Sequence, residues 1–387
     1  MNSLKNNIIY LLLFFGLVSL LSDLTYEGAR GILGPYLASL GANAAVIGFI
    51  AGLGEFFGYF LRLLFGFLID KLKTYWTFIF LGYGINLFAV PALGLVDRWD
   101  LACLLIVLER AGKAIRTPAR DTLLSLMSTK IGKGKIFGIH EALDQIGAII
   151  GPLIVAFIVS LRGNYKEAFL FLFIPAFLAL IILFATKRLS HHHLEFPKHR
   201  DPLSEKAYPK VFWLYVIAVA LFGAAFVDFP LVGYHFEKAL FLSKELIPLF
   251  YAIAMGVDAL SALILGWFYD KRGFRVVLLA NLLVLFATPF LFLGKNLFLI
   301  LLGIILWGIG LGALESILRA VIAVILPVEK RGSGFGIFSA LFGSFWFIGS
   351  FLLGLLYEYS LYGLILFSLI LQALSLFLLV RVNKALS

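Results

Sequence analysis

Charge is scarce in this sequence. Asp, Glu, Lys and Arg make up 14% of its 387 residues, against about 25% in a soluble domain, so water is not the main solvent for its surface. Cysteine is scarcer still. The one copy, Cys103, excludes a disulfide framework and a cysteine-rich zinc or iron–sulfur site. It lies in an apolar run and reads as a small core residue. No HExxH helix and no GxSxG elbow occurs, which removes two common hydrolase signatures. The tract His191-His192-His193 has no acidic or cysteine partner at ligand spacing, so neither metal nor cofactor is expected. No cleavable signal-peptide pattern is read either. The apolar stretch after Lys5 is too long for one and reads as a first membrane helix.

What is present is apolar length. The chain is 62% hydrophobic, with a mean hydropathy of +1.01. Segments long enough to cross a bilayer recur throughout. Twelve are read, at roughly 8–40, 44–70, 74–96, 98–127, 136–161, 166–186, 211–236, 246–270, 276–294, 296–326, 334–357 and 361–380. The net charge of +10 follows the connections between them. Nineteen Lys and Arg fall on the side of the N-terminus and six on the other. Positive-inside bias then predicts a multi-pass protein of the cytoplasmic (inner) membrane with both termini in the cytoplasm. Because the excess charge reads as an orientation signal, nucleic acid is not an expected partner.

The longest polar stretch runs from Lys187 to Lys210 and contains Pro197 and Pro202. It predicts three parts: a six-helix bundle at 1–187, a cytoplasmic linker at 188–210 and a second bundle at 211–387. The halves carry matched landmarks. Gly66-Phe-Leu-Ile-Asp70-Lys71 and Gly266-Trp-Phe-Tyr-Asp270-Lys271 are 200 positions apart, and each closes the second span of its half. Phe137-Gly138-Ile139 and Phe335-Gly336-Ile337 are 198 apart, and Arg120 and Arg319 are 199 apart. Duplication explains one recurring offset.

These landmarks resemble the major facilitator superfamily. GFLIDKLK and GWFYDKRGFR are similar to its signature G-x-x-x-D-R/K-x-G-R-R/K between the second and third helices. The second copy keeps Gly266, Asp270, Lys271, Gly273 and Arg275. The first keeps Gly66, Asp70 and Lys71, with Lys73 in place of the later glycine and Thr74 after it. The fifth span, Gly138-x8-Gly147-x3-Gly151-Pro152, resembles the family's antiporter signature, with Val155 and Ala156 in place of its last two glycines. The resemblance implies an all-α integral membrane fold of twelve helices in two six-helix bundles related by a pseudo-two-fold axis. It also implies a cytoplasmic latch at Gly66, Asp70, Lys71, Gly266, Asp270, Lys271 and Arg275.

Charges inside the spans are the candidate machinery, because intramembrane ionisable groups are costly and usually serve function. Asp23, Glu27 and Arg30 share one helical face, as do Glu109, Lys113, Arg116 and Arg120. Asp23 and Glu27 are the proton-coupling candidates, since two carboxylates one turn apart repel and burial favours their protonated form. Cavity candidates are Glu55, Arg110, Lys113, Arg116, Asp228, Asp258, Glu315 and Arg319. Arg120, Asp121, Glu141 and Asp144 read as structural charge pairs. A turn centred near Lys130 would set Arg116 opposite Asp144, and Arg120 opposite His140 and Glu141. Glu315 and Arg319 read as an i, i+4 salt bridge. The expected activity is proton-coupled export of a lipophilic or amphipathic small molecule by a monomer in the lipid bilayer. An organic-anion or lysophospholipid carrier using the basic fourth span is the second reading, and a membrane receptor or scaffold a remote third.

Overall fold

The computed structural model describes residues 2–131, 133–190, 208–239 and 242–386. The regular elements among them are all helices. In the first half of the sequence these are α1 (Asn2–Arg30), α2 (Leu33–Ser39), α3 (Ala44–Leu72), α4 (Tyr75–Ala92), α5 (Trp99–Ile131), α6 (Lys133–Arg162), α7 (Tyr165–Phe171) and α8 (Phe173–Ser190). The second half supplies α9 (Lys210–Ala225), α10 (Phe229–Lys238), α11 (Leu246–Arg272), α12 (Arg275–Val284) and α13 (Ala287–Leu293). It continues with α14 (Leu297–Glu315), α15 (Ile317–Ile325), α16 (Val328–Tyr359) and α17 (Leu361–Leu386). Most of the expected linker, 191–207 with its three histidines, lies outside the described residues.

Eleven stretches among the described residues are long and apolar enough to cross a membrane. Several are broken helices. Lys210–Lys238 contains α9 and α10, and Leu297–Ile325 contains α14 and α15. Pro230 sits in the first turn of α10, where its missing N–H costs nothing, and the chain is extended at Phe226 and Asp228. The α5 helix is 33 residues long but is not one of the eleven. Glu109, Arg110, Lys113, Arg116, Arg120 and Asp121 interrupt its apolar character.

The chain forms two compact units. One contains Met1–Tyr36, Phe57–Arg200 and Lys244–Ala252; the other contains Leu37–Phe56, Asp201–Ser243 and Ile253–Ser387. In the first unit, α1 packs along α6, and α4 along α5. Small residues permit this closeness, as expected where helix packing lacks a hydrophobic drive. A Cβ on Gly147 would stand 2.2 Å from the Leu20 carbonyl oxygen, and one on Gly151 2.3 Å from that of Leu24. The α4–α5 seam is similar: a Cβ on Gly82 would stand 2.6 Å from the backbone nitrogen of Arg116. In the second unit, α9 packs on α16 and α17. There a Cβ on Gly349 would lie 2.1 Å from the Ala224 oxygen. Gly151 and Gly349 are 198 positions apart, the offset already seen in Phe137 and Phe335.

The two GxxxDK copies end their helices alike. Gly273 has φ +61° and donates its N–H to Tyr269 O at 2.8 Å. Lys73 has φ +55° and donates to Ile69 O at 2.8 Å. Each is the left-handed residue that closes a helix C-terminus, a place usually held by glycine. Lys73 is the one non-glycine residue with positive φ among the described residues. Beyond these turns Asp270, Lys271 and Arg275 are exposed, with Lys271 Nζ 3.4 Å above the Trp267 ring. Lys71 is also exposed, and Asp70 lies in the last turn of α3.

Candidate functional site

The α1, α4, α5 and α6 helices enclose a polar cluster in the first unit. Asp23 and Glu27 on α1 are 8% and 7% exposed, and Arg116 on α5 is 1% exposed. Two contacts fix how α1 and α5 align. Arg120 Nη1 donates to Ser19 Oγ at 3.3 Å, and Lys113 Nζ donates to Tyr26 Oη at 2.7 Å. The helices are antiparallel, and seven residues separate the contacts on each. The intervening turn therefore places Asp23 beside Arg116, and the two interact electrostatically. The Arg116 guanidinium lies 4.0 Å over the Tyr83 ring of α4. The fifth-span glycines serve the same locus, because Gly147 and Gly151 press on the carbonyls of Leu20 and Leu24, which flank Asp23.

The remaining charges pair along this face. Arg120 Nη2 is 3.0 Å from Asp121 Oδ1, and its Nη1 is 3.8 Å from Asp144 Oδ2. His140 Nδ1 lies 3.1 Å from Asp144 Oδ1. The expected opposition of Arg116 to Asp144 is thus one turn out of register. Asp144 stands against Arg120, four residues from the expected Arg116, and in an antiparallel pair an error of two residues in the assumed centre moves every partner by four. Glu141 is exposed and accepts from Gln145 at 3.4 Å. Nearer the other end of α5, Arg110 Nε is 3.2 Å from Glu109 Oε2, and Asn86 Nδ2 donates to Glu109 Oε1 at 2.9 Å. Arg30 Nη1 lies 3.6 Å from Glu27, and Tyr251 of the 244–252 segment donates its hydroxyl to the same carboxylate. Five bases (Arg30, Arg110, Lys113, Arg116, Arg120) therefore stand among five acids (Asp23, Glu27, Glu109, Asp121, Asp144).

Several buried polar atoms in this cluster have no hydrogen-bond partner among the described residues: Ser22 Oγ, Tyr83 Oη, Asn86 Oδ1, and Arg116 Nε and Nη1. Each such group costs about 1–3 kcal/mol if nothing meets it. A separate cavity of about 30 Å³ is lined by the polar Tyr26, Arg30, Glu109 and Arg110 together with apolar side chains of α1, α4 and α5, and Asn86 reaches it only through its bond to Glu109.

The second-half candidates are not gathered in this way. Asp228 is 4% exposed at the break before α10 and accepts from Trp346 Nε1 at 3.0 Å and from Ser350 Oγ. The broken backbone is met by side chains: Trp307 Nε1 donates to Val227 O at 2.7 Å, and Ser368 Oγ to Ala225 O at 2.8 Å. Asp258 is buried on α11, with its carbonyl bound by Ser261 Oγ at 3.0 Å. Glu55 is half-buried on α3. Glu315 and Arg319 are exposed on either side of the break at Ser316. Nothing in the sequence singles out Tyr83, Tyr251 or Ser350 as site residues. Pro230 was the one signal in the sequence for the break beside Asp228.

The sequence matches the model of the Major Facilitator Superfamily over residues 15–273 and again over 229–386. The chain belongs to the major facilitator superfamily. It is 37% identical over 369 residues to an uncharacterized protein of Mycobacterium tuberculosis, covering 94% of this chain and 90% of that one. It is 29% identical over 375 residues to an uncharacterized MFS-type transporter of Methanocaldococcus jannaschii, covering 92% of each. A shorter match, 28% over 185 residues and 46% of this chain, is to the multidrug resistance protein MdtG of Proteus mirabilis. Among solved structures, the fold is similar to a POT family transporter (TM-score 0.78, 14% identity, 96% of this chain and 95% of that one). It is also similar to the nucleoside transporter NupG (TM-score 0.75, 16% identity, 97% and 98%). As a member of this superfamily the chain is a multi-pass membrane transporter of a small molecule rather than an enzyme.

Proposed function

We propose that this superfamily member is a proton-coupled exporter of a lipophilic or amphipathic compound, working by alternating access in the cytoplasmic membrane. Asp23 and Glu27 carry the proton. The observation behind this reading is the position of Asp23: a buried carboxylate, wedged where the antiporter-like glycines of α6 meet α1, and facing Arg116 without a direct ion pair. A carboxylate so placed can change charge without breaking a salt bridge. The α5 helix is the twelfth span in this reading. Its charges are tolerable in lipid because acids on α6 and on α5 itself meet them. Both termini are cytoplasmic, the halves are 1–187 and 211–387, and the GxxxDK turns form the cytoplasmic latch.

The anion-carrier reading requires the bases of α5 to be available. Arg110 and Arg120 have carboxylate partners, Lys113 is bonded to Tyr26, and Arg116 faces Asp23. That arrangement favours the exporter. MdtG, named for multidrug resistance, is in keeping with it over the 46% of this chain that it matches.

The test is reconstitution. In proteoliposomes with an imposed pH gradient, candidate lipophilic compounds should move against their own gradient, and collapsing the pH difference should stop them. Accumulation that ignores the pH gradient would exclude proton coupling.

A further inference from the structure

The cluster contains more hydrogen-bonding capacity than the protein itself uses. Along α4, Tyr83 and Asn86 are three residues apart and so lie on one face, and each has a buried polar atom without a protein partner. Arg116 of α5 is stacked on Tyr83, with Nε and Nη1 unpartnered. Ser22 adjoins Asp23 on α1, and its Oγ is likewise unmet. Asn86 is tied through Glu109 to the cavity lined by Tyr26, Arg30, Glu109 and Arg110. That cavity, of about 30 Å³, exceeds the roughly 10–15 Å³ that one water needs. At the other end, Ser19, Arg120, Asp144 and His140 continue the polar face. Buried polar groups in proteins are met by internal water when the protein does not meet them.

We propose that a file of internal waters threads the first-half bundle from the Glu109 cavity past Asn86, Tyr83 and Ser22 to Asp23, and that Arg116 is the electrostatic barrier that keeps this file from leaking protons. The proposal rests on Asp23 being the proton carrier. A hydrated carboxylate at mid-bundle exchanges protons with solvent, and a continuous file would also let protons cross without substrate. A fixed guanidinium beside the file opposes this, because a hydronium passing it meets a like charge in a low-dielectric surrounding. Arg116 suits that role. It is held by stacking on Tyr83 and by the tight Gly82–Gly112 seam, and among the described residues its Nε and Nη1 have no partner to spread its charge. Lys113 and Asp144 also face Asp23, so Arg116 is one of several charges on this locus, but the one with unspent donors.

Two measurements on the full-length protein test this. In proteoliposomes with an entrapped pH dye and no added compound, wild type and Arg116→Lys should be tight to an imposed pH step. Arg116→Gln should leak several-fold faster, and Asp23→Asn/Arg116→Gln should be tight again. An Arg116→Gln protein that melts like wild type and does not leak overturns the barrier. Hydroxyl-radical footprinting of the wild type needs no variant to fold. Tyr83 is fully buried, yet it should label at a rate comparable with exposed Tyr359 if water is beside it. An unlabelled Tyr83 overturns the file. Neither measurement uses a transported compound, so failure of the exporter reading appears separately, as absent substrate-driven proton movement in the wild type.

Discussion

Asp23 and Arg116 face one another across the α1–α5 interface, one turn from the Ser19–Arg120 contact and one turn from the Tyr26–Lys113 contact, with no direct ion pair between them. Charge on either therefore acts on the other through the surrounding polar groups rather than through one bond. Asp23→Asn keeps the shape of the side chain and removes its titration. The expected result is loss of pH-gradient-driven flux to background, with the melting profile of the purified protein close to wild type. Undiminished gradient-driven transport by the variant would rule out the carrier role.

The broad architecture was legible because most spans are apolar over a bilayer's thickness, and because duplication left landmarks at one offset. The shared charged face of α5 was legible from its i, i+4 and i+7 spacing. What was not legible is pairing between helices. The assignment of Asp144 to Arg116 failed by one helical turn, because an antiparallel pair doubles any error in the assumed centre and Asp144 meets Arg120 instead. The Asp23–Arg116 relation joins helices more than ninety residues apart in sequence, and no periodicity within either encodes it. The helix break at Ser316 carries no proline, and the one at 226–228 is marked only by Pro230, so both lie within stretches that read as single spans. The Trp346 and Ser350 donors to Asp228 could be found only by packing α16 on the break.

The repeated turn makes a prediction about backbone strain. Lys73 occupies the left-handed position that Gly273 fills in the second half. A side chain there crowds the following carbonyl, at a cost of about 1–2 kcal/mol. Lys73→Gly removes that crowding but adds freedom to the unfolded chain. The net expectation is a gain of roughly 0.5–1 kcal/mol, read as a higher melting temperature in detergent. Gly273→Lys should shift it the other way. A fall on Lys73→Gly would mean that Lys73 has a compensating interaction in the turn.

The glycines of α6 should be intolerant for a reason distinct from chemistry. A methyl group on Gly147 or Gly151 would stand 2.2–2.3 Å from a carbonyl oxygen of α1, and backbone cannot rotate away as a side chain can. Gly147→Ala or Gly151→Ala should cost about 1–3 kcal/mol through overpacking. Gly58→Ala on α3 has nothing within 4 Å and should be neutral or slightly stabilising, because alanine is the better helix former. Equal melting temperatures for all three variants would contradict the seam.

Asp228 tests whether the second half uses its carboxylate for structure. It accepts from both Trp346 and Ser350 in a buried site. Asp228→Asn retains an acceptor oxygen for one of them. Asp228→Ala leaves both donors unmet, at about 1–3 kcal/mol each. Alanine should therefore lower the melting temperature well below asparagine and shift the Trp346 emission as its indole N–H loses a partner. Near-equal stability of the two variants would show that water replaces the carboxylate, and that the clamp on the α9–α10 break lies mainly in Trp307 and Ser368.

The N-terminus of α3 is capped from two directions. Asn43 Oδ1 accepts from Val46 N at 2.9 Å in the usual local manner. Glu358, in the last turn of α16, accepts from Ala44 N at 2.6 Å. Its negative charge thus sits at the positive end of a 29-residue helix. Glu358→Gln keeps an acceptor and loses the charge, while Glu358→Ala loses both. Alanine should cost about 0.5–2 kcal/mol, the usual range for a lost cap, with glutamine between it and wild type. Because Ala44 belongs to the first half of the sequence and Glu358 to the second, the same substitutions bear on transport. If the contact opens during the cycle, Glu358→Ala should change the turnover rate in proteoliposomes as well as the melting temperature. A change in stability alone, with turnover untouched, would place the contact among those that persist through the cycle.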